Sequence, residues 1–549
     1  MSPKKKQFLF VAFVFIVSPL FATKAPNFVL IYVDDLGWAD TSVRMMRDVK
    51  GSRSYFHQTP ALEKLAKRGV VFSNAYAPAP TCTPSRISLH YGKTNAKLGY
   101  TTVHDIAAHD RGLKESIPKD HISFPQMFKQ ANLGYVTAHF GKGIAIAKPQ
   151  EIGYDSHDAY DTGDNGNYHG EFVKIAPVTE RESLPEDDPK RIYSLTETAE
   201  KFLEKQSKSD HPFFMVVSHY SAHVPHAASP HMIEKYRNIP RGQYCRDEDY
   251  LDPSEMTKSQ RTCTWRLQYA AMVEETDMSL GRIMDALDKH NMTNDTYIIF
   301  TSDNGGGLTP NGVLTGGKAN LYEGGIRVPT VVAGPNMLKD TQCDVPITQW
   351  DLMSTFHDLS GSKTPAPKGL DGGSLREVFQ KGNNGRVERP VPGIVFNYPY
   401  YAAAPINAIR IGDYKLMRQL NTGEERLYNV VEDLAEKENL IKAKPEVAKE
   451  LAKKMDDYLT AVNARKIEDV YKARFTELNM FKKKSLSHEK QRLEKALKET
   501  PSDKHESLKE EYAAKMGNIE ARYDKQIEHC QMQTLNENFI GGNHKKNKD

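Results

Sequence analysis

The sequence predicts an α/β protein in which a mostly parallel sheet lies between layers of helices, followed by a smaller α+β subdomain and a helical C-terminal extension. Over the first two thirds of the chain, continuous apolar runs alternate with amphipathic stretches, a pattern that favours parallel strands joined by helices. After about residue 375 the pattern changes to short strands separated by turns. Beyond Lys466 the chain is rich in lysine and glutamate, a composition that favours helix.

The individual elements follow from periodicity and from the residues at their ends. The apolar, β-branched run from Asn27 to Val33 is typical of a buried parallel strand. Thr59 and Pro60 suit a helix N-cap and first turn, and helical apolar spacing follows them. The predicted strands of the main domain are 27–33, 70–75, 135–140, 212–218 and 296–301, and its predicted helices are 59–66, 124–131 and 269–289.

These patterns divide the chain into five predicted segments. They are a signal peptide at 1–22, a main α/β domain at 26–375, an antiparallel-sheet subdomain at 376–465, a charged helical hairpin at 466–540 and a disordered tail at 541–549. In the hairpin, apolar residues recur at intervals of four and three, as on one face of a helix. These residues are Leu508, Tyr512, Met516, Ile519, Tyr523 and Ile527. We expect the hairpin to pack on the main body or on a second copy of the chain, as a homo-oligomer contact.

The N-terminus carries the signature of an exported protein. Lys4 to Lys6 precede the apolar run Phe8 to Val17, and small residues follow, with cleavage expected between Ala22 and Ala25. The run is short for a membrane span, so no span is expected after cleavage, although an uncleaved anchor is the alternative. The expected location is secreted or periplasmic. The net charge of only +3 gives no field that would attract nucleic acid, which is not an expected partner.

The stretch from Cys82 to Lys93 is the strongest candidate for chemistry. Cys82 precedes Pro84 by two residues and Arg86 by four, just before an apolar helical run. A helix N-terminus has unpaired N–H groups and the positive end of the helix dipole, and the arginine adds a permanent cation. The motif therefore predicts an anion-binding site, although a structural cysteine at a helix cap also fits the spacing.

Polar side chains also follow several other predicted strands. Asp34 and Asp35 come directly after the first strand, His223 lies shortly after the 212–218 strand, and Asp303 and Asn304 follow the 296–301 strand. The carboxyl ends of parallel strands meet at one edge of a sheet. Three carboxylates and an amide there form a hard oxygen site suited to Ca²⁺ or Mg²⁺, because a divalent cation relieves the repulsion among the carboxylates.

Taken together, these motifs resemble those of the formylglycine-dependent sulfatase family, whose fold is that of the alkaline phosphatase superfamily. The segment from Cys82 to Gly92 is similar to the family's Cys-x-Pro-Ser-Arg motif, except that Tyr91 stands where threonine is usual. The resemblance spans residues 26 to about 465. The other matching segments are Gly141-Lys142, His223-Val224-Pro225, Gly316-Gly317-Lys318, Glu323 to Pro329, and Arg410, Gly412 and Lys415 in the subdomain.

The resemblance implies a role for each candidate residue. Cys82 would be oxidised by a formylglycine-generating or maturase enzyme to formylglycine (3-oxoalanine), whose hydrate is the nucleophile. One calcium ion per chain would be bound by Asp34, Asp35, Asp303, Asn304 and the oxygen of the modified Cys82. The catalytic and substrate-binding residues would be Arg86 and Lys142, which hold the hydrate, Lys318, which binds sulfate oxygens, and His223, which assists the leaving oxygen.

One position departs from the family pattern. The lysine that Lys142 matches is usually followed two residues later by a histidine that acts as a base, and here that position is Ile144. Isoleucine cannot accept a proton. A replacement base would have to come from elsewhere, and His139, His90 and His226 are the nearby candidates, each of which also fits a structural role.

The expected function is that of an exported, calcium-dependent sulfatase acting on sulfated carbohydrates. The aromatic cluster Tyr398 to Tyr401 suits either stacking on a sugar or packing of the subdomain, and Arg410 suits selection of acidic sugars. Two alternatives stay open: a phosphodiesterase or phosphonate monoester hydrolase, and a sulfated-glycan-binding protein without turnover, which Ile144 would explain.

The cysteine count is odd. With Cys82 converted, four cysteines of an exported chain remain, and they either pair in one of three ways or stay free. These four are Cys245, Cys263, Cys343 and Cys530, and the most local pair is Cys245 with Cys263.

Overall fold

The structure is a computed structural model that describes residues 24–102, 117, 120–144, 146–158, 185–239, 258–307, 311–399 and 405–535. The predicted signal peptide and the predicted tail at 541–549 lie outside the described residues. The side chains of Cys245, Cys263 and Cys530 lie outside them as well, so the local pairing stays a prediction. Cys343 is a buried free cysteine, and the pairings that include it are therefore wrong.

The centre of the main domain is an eight-stranded sheet in the order β5-β4-β6-β1-β7-β8-β2-β9. Its strands are β1 (Asn27–Val33), β2 (Val70–Phe72), β4 (Val136–Gly141), β5 (Ser156–His157), β6 (Phe213–Ser218), β7 (Thr296–Ser302), β8 (Thr330–Ala333) and β9 (Thr341–Cys343). Strands β5, β4, β6, β1 and β7 are parallel, and β8 runs antiparallel to both of its neighbours. The mostly parallel sheet predicted from the sequence is confirmed.

Helices cover both faces of this sheet. They are α1 (Pro60–Arg68), α2 (Cys82–Tyr91), α3 (Asn95–Leu98), α4 (Phe124–Gln130), α5 (Ile192–Gln206), α6 (Pro230–Asn238), α7 (Lys258–Lys289), α8 (Glu323–Ile326), α9 (Asp351–Leu359) and α10 (Arg376–Lys381). Alternate residues of β1 enter two different cores: Val29, Ile31 and Val33 pack on one face, and Phe28 and Leu30 pack on the other. The continuous apolar run in β1 is therefore required by burial on both sides.

The sequence predicted one strand at 70–75 where the structure has two. Strand β2 ends at Phe72, and β3 (Ala75–Tyr76) pairs in parallel with β10 (Ile347–Thr348) in a separate two-stranded sheet. The break falls at Ser73 and Asn74, whose side chains donate hydrogen bonds to Asp344 at 2.5 and 2.7 Å. These tertiary bonds redirect the chain toward Cys82.

The subdomain is a four-stranded antiparallel sheet formed by β11 (Ile394–Tyr398), β12 (Ile406–Ile411), β13 (Tyr414–Gln419) and β14 (Glu425–Asn429). Helix α11 (Pro445–Ala461) packs on one face of it, where Leu451 and Met455 meet Leu416 and Leu427. The other face, including Phe396, forms a core with residues of the main domain. The predicted α+β subdomain is confirmed.

Two long helices, α12 (Ile467–Glu499) and α13 (His505–Leu535), form the C-terminal extension. They pack on one another through a small core that contains Tyr471, Leu478 and Ile527. Within the described part of the chain, no helix is both long and apolar enough to cross a membrane.

Candidate active site

The candidate residues converge where four adjacent strands of the central sheet end. In the order β4, β6, β1 and β7, these strands are followed by Lys142, by the segment that carries His223, by Asp34 and Asp35, and by Asp303 and Asn304. Helix α2 brings its first residue, Cys82, to the same edge. The meeting of these side chains is what the strand-end pattern of the sequence predicts.

The two acidic residues after β1 face different partners. Asp34 is fully buried and is hydrogen-bonded to the Lys142 ammonium, with a guanidinium nitrogen of Arg86 at 3.8 Å. Asp35 adopts a left-handed backbone with φ of 60°, which turns its carboxylate toward Lys318. The Lys318 Nζ lies 2.7 Å from Oδ2 of Asp35. Each aspartate of the pair thus has a lysine of its own.

Oxygen atoms in this cluster fit a hard metal ion. Ligand atoms of Asp34, Cys82 and Asp303 all lie within 4.8 Å of one another. Among the described residues, Oδ1 of Asp34 and Oδ1 of Asn304 are buried without a hydrogen-bond partner. Buried polar atoms are rarely left unpaired, and a carboxylate oxygen and an amide oxygen beside the second carboxylate, that of Asp303, are of the kind that Ca²⁺ or Mg²⁺ prefers. The residues present therefore fit a divalent cation.

The electrostatics of the cluster agree with this fit. Burial and the nearby Asp34 carboxylate raise the pKa of Asp303 to about 7. Burial also opposes ionisation of Asp34, but the Lys142 ammonium, with further nearby cations, holds the pKa of Asp34 below its usual range. The protein's own cations thus compensate Asp34 more fully than Asp303, and a bound cation would stabilise both in their ionised form.

Cys82 lies at the first position of α2 and is almost completely buried, with an exposed fraction of 8%. The loop before it is fixed by Ser85, whose hydroxyl donates to the Ala79 carbonyl at 2.8 Å and accepts from the Ala79 N–H at 3.0 Å. Cys82 therefore lies at a helix N-terminus, as the Cys-x-Pro-x-Arg motif predicts, and beside the acidic cluster.

Arg86 connects the helix to three strand ends. Its Nε donates to Asp303 at 2.8 Å, and its Nη1 donates to the Ser218 hydroxyl and to the Lys142 carbonyl. The guanidinium also stacks 4.9 Å from the ring centroid of Tyr32. A planar cation with several fixed donors suits this position, whereas a lysine would leave part of the set unpaired.

A model of the sulfatase family matches residues 26–362, which is more than half of the 549-residue chain. The chain belongs to the sulfatase family. A second model, that of the N-sulphoglucosamine sulphohydrolase C-terminal region, matches residues 317–465. This sulfatase is accordingly a sulfuric ester hydrolase of the alkaline-phosphatase-like α/β fold.

Named relatives agree with this assignment. A sulfatase of Formosa agariphila is 28% identical over 547 residues, covering 84% of this chain and 94% of that protein. The mouse (Mus musculus) N-acetylgalactosamine-6-sulfatase is 27% identical over 440 residues, covering 74% of each chain. Among solved structures, Ps i-CgsB in complex with k-i-k-neocarrahexaose is similar with a TM-score of 0.63 and 25% identity, covering 79% of this chain and 93% of that one.

His223 lies at the edge of the candidate site. Its Nε2 is 3.7 Å from Oδ2 of Asp35, and burial lowers its pKa to about 4. Its main-chain carbonyl accepts a hydrogen bond at 2.7 Å from Lys190, whose side chain is fully buried. Lys190 was not predicted from the sequence, because it stands in a charged, proline-containing segment that has the composition of an exposed loop.

The histidine candidates for the base that Ile144 cannot supply occupy other surroundings. Ile144 itself is buried in an apolar core. The rings of His90 and His139 lie 5.7 Å apart, and Nδ1 of His90 bonds the Arg86 carbonyl at 2.8 Å. The ring of His226 packs at 5.4 Å against Tyr269. These contacts are those of packed structural histidines.

Two suggested sugar contacts have structural roles instead. Tyr398 is buried in the core between the subdomain and the main domain, and Tyr400 and Tyr401 lie outside the described residues. Arg410 is 2% exposed and donates to the Tyr76 hydroxyl and to the Gly412 carbonyl. The expectation that Arg410 selects acidic sugars is therefore wrong, because its guanidinium is already committed to the domain interface.

Proposed function

We propose that this sulfatase is exported and hydrolyses sulfate esters of carbohydrates, with formylglycine formed from Cys82 and one Ca²⁺ bound by Asp34, Asp35, Asp303 and Asn304. The observation that carries the proposal is the convergence of a buried cysteine at a helix N-terminus, an oxygen cluster suited to a cation, and three fixed cations. The carbohydrate class is supported by the names of relatives that act on, or were solved with, a sugar.

A sulfate ester gains negative charge on its leaving oxygen as the S–O bond breaks, so the site must supply positive charge and a proton. When bound, Ca²⁺ would add charge at the sulfuryl oxygens, and formylglycine would provide the attacking oxygen. The chain's own residues do the remainder. Lys142 and Lys318, both held by aspartates, bind sulfuryl oxygens, and Arg86 holds Asp303 and the end of β4 in place.

His223 is the proposed proton donor to the leaving oxygen. It lies on the open side of the cluster, with a side chain 14% exposed, where the carbohydrate part of a substrate has room to bind. Burial lowers the pKa of His223 and favours the neutral imidazole, and Lys142 and Lys318 act in the same direction, against Asp34 and Asp35. An incoming sulfate ester adds negative charge that favours the protonated form. Substrate binding would thereby help to place a proton on His223 where it is needed.

The test is release of free sulfate from a panel of sulfated oligosaccharides by protein co-produced with a formylglycine-generating enzyme. Cys82→Ala is the inactive variant. Cys343→Ala is a matched control, because Cys343 is also a buried free cysteine but packs in an apolar core. We expect release by the parent and by Cys343→Ala, with none by Cys82→Ala. Loss in both variants would contradict the assignment of the nucleophile.

The same panel includes an aryl sulfate and an aryl phosphate diester. Preference for the diester, with Cys82 fully converted by peptide mass, would replace the sulfatase proposal with phosphodiester hydrolysis. Tight glycan binding without product would favour the binding protein.

Export is tested separately, by sequencing the N-terminus of protein recovered from the periplasm or medium, where a start between Ala22 and Ala25 is expected.

A further inference from the structure

The loop that carries Lys318, residues 315–322 and here called the Lys318 loop, has no regular secondary structure. Two of its residues, Gly316 and Ala319, have positive φ angles of 77° and 68°. A segment of this kind has no internal ladder of hydrogen bonds, so outside contacts must hold it in one conformation. The position of the Lys318 ammonium therefore depends on what the loop packs against.

Hydrogen bonds within the main domain hold the start and the middle of the loop. At the start, the Thr315 carbonyl accepts from the Gly324 N–H at 2.8 Å, and the Gly316 carbonyl accepts from the Asn311 side chain at 3.1 Å. The Lys318 N–H donates to the Gly306 carbonyl at 3.2 Å, and the Ala319 N–H donates to the Pro80 carbonyl at 2.7 Å. The Lys318 side chain then reaches Asp35. Both ends of the loop also receive contacts from the opposite side.

The C-terminal subdomain supplies these contacts at the ends. At the start, the Thr315 hydroxyl donates to the Ala435 carbonyl. At the far end, Lys415 of β13 donates to the Leu321 carbonyl at 3.0 Å. Arg426 of β14 also donates to the Tyr322 hydroxyl at 2.6 Å. These contacts come from three different segments of the subdomain, so the loop conformation follows the position of the whole subdomain.

A buried ion cluster fastens the point where the loop enters α8. We call Lys415, Glu323 and Glu436 the Lys415 cluster. The Lys415 Nζ lies 2.7 Å from a carboxylate oxygen of Glu323 and 2.7 Å from one of Glu436, and all three side chains are fully buried. The Glu323 N–H donates to the other oxygen of Glu436 at 2.6 Å. Arg327 also pairs with Glu323 at 2.7 Å.

Charges buried this deeply are costly to desolvate, and they are stable only when every partner is in place. Glu323 belongs to the main domain, whereas Lys415 and Glu436 belong to the subdomain. The cluster consequently has one favourable arrangement of the two parts, and a small displacement leaves buried charges unpaired. Such a cluster is suited to fixing the position of the subdomain relative to the main domain.

We propose that the C-terminal subdomain positions Lys318 in the active site, and that Lys415 is the main positioning residue. This inference rests on the proposed sulfate-binding role of Lys318. Lys415 does not touch the substrate. It acts through the Leu321 carbonyl and Glu323, which set the end of the loop three to five residues beyond Lys318. The subdomain is in this way part of the catalytic apparatus as well as a structural cover.

The test compares Lys415→Met with Arg418→Met. Arg418 lies on the same strand and pairs with Glu425 and Asp456 inside the subdomain, so it serves as the matched control. We expect Lys415→Met to lower kcat/KM by about tenfold to a hundredfold, the loss typical of a catalytic group misplaced by about 1 Å. Arg418→Met should leave kcat/KM unchanged. Lys415→Arg, which keeps the charge, should recover part of the activity.

Hydrogen exchange separates positioning from general destabilisation. In Lys415→Met we expect faster exchange of the amides of Lys318 and Ala319, while the amides of β1 and β7 keep their protection. Thr315→Val loosens the other end of the loop and leaves the ion cluster intact, so it should also speed exchange of the Lys318 and Ala319 amides. It provides the test of the loop if Lys415→Met does not fold. Faster exchange throughout the sheet in both variants, or unchanged loop exchange with full kcat/KM in a folded Lys415→Met, would overturn the inference.

A double-mutant cycle with Lys318→Ala completes the test. If the Lys415 cluster acts through Lys318, adding Lys415→Met to Lys318→Ala should lower residual kcat/KM far less than it does in the parent. Equal losses in both backgrounds would overturn the inference. Full activity of Lys318→Ala would instead refute the proposed role of Lys318, and the exchange measurement would still decide whether the subdomain orders the loop.

Discussion

Lys190 donates a hydrogen bond of 2.7 Å to the main-chain carbonyl of His223, and its ammonium group is fully buried. Burial lowers the pKa of Lys190 well below its usual value, whereas the Asp34 carboxylate acts in the opposite direction. A buried amine that bonds the backbone of the proposed proton donor holds the segment after β6 against the rest of the site.

Lys190→Met removes this bond while keeping a similar side-chain length. We expect kcat to fall about tenfold with little change in KM, because His223 acts on the leaving oxygen and a small displacement is sufficient to weaken it. Steady-state kinetics and the melting temperature are the measurements. Lys190→Gln, which keeps a donor, should recover part of kcat. Lys208→Met, at an exposed lysine paired with Glu204, is the control, and unchanged kcat in a folded Lys190→Met would contradict the role.

Metal binding makes a second prediction. Asn304→Ala removes one of the two oxygens of the acidic cluster, Oδ1 of Asp34 and Oδ1 of Asn304, that are buried without a partner among the described residues, and we expect it to weaken Ca²⁺ binding by roughly 10- to 100-fold. Calorimetric titration measures this directly. Since a ligand that binds only the folded state stabilises it, Ca²⁺ should also raise the melting temperature of the parent more than that of the variant.

The control for this prediction is Asn238→Ala, at an exposed asparagine that bonds Glu234 on α6. Its Ca²⁺ affinity should equal that of the parent. If a chelator leaves the parent's melting temperature unchanged and titration with Ca²⁺ gives no heat, the assignment of the metal site is wrong.

The sequence alone predicted more of the acidic cluster proposed to bind the metal than of its surroundings. Asp34 and Asp303 were predicted from the sequence because each lies at the carboxyl end of a stretch typical of a buried strand, and a strand end fixes where the side chains after it lie. Lys190 could not be recognised, because its burial comes from packing against a segment more than thirty residues away. The turn at Ser73 was missed for the same reason, since its hydrogen bond to Asp344 spans 271 positions.

The same distinction applies to the residues whose predicted roles failed. Arg410 was predicted to select acidic sugars from its residue type, but its environment is set by Tyr76, 334 positions away. Local patterns specify strands, helix ends and the residues that flank them. They do not specify which charged side chains the tertiary fold encloses.

A third prediction concerns stability and pH. Asp277 accepts hydrogen bonds of 2.8 Å from the N–H groups of Ala61 and Leu62 at the start of α1. Burial raises its pKa from 3.8 to about 7, with smaller contributions from Glu274 and Glu63. Between these pH values the folded state keeps a proton that the unfolded state has lost. The contribution of Asp277 to the free energy of unfolding therefore falls as the pH rises from 3.8 to about 7.

Asp277→Asn cannot ionise, so this part of the pH dependence should disappear. We expect the difference in free energy of unfolding, variant minus parent, to increase by about 2 kcal/mol as the pH rises from roughly 5.5 to roughly 8. Urea unfolding at several pH values measures it. Glu204→Gln, at an exposed carboxylate, should follow the parent's pH dependence. Parallel curves for Asp277→Asn and the parent would mean that Asp277 stays ionised throughout.

The final prediction concerns the hairpin of α12 and α13. Its core residues Tyr471, Leu478 and Ile527 pack against one another, whereas every proposed catalytic residue precedes Arg465. Truncation after Arg465 should therefore leave kcat unchanged, because the central sheet, the Lys318 loop and the subdomain keep their contacts. A large loss of kcat in a folded truncated chain would contradict this.

Light scattering of the same truncated chain tests the oligomer hypothesis independently. The number of chains per particle should fall if the hairpin joins two copies, and an unchanged number would exclude the hairpin as the contact between them.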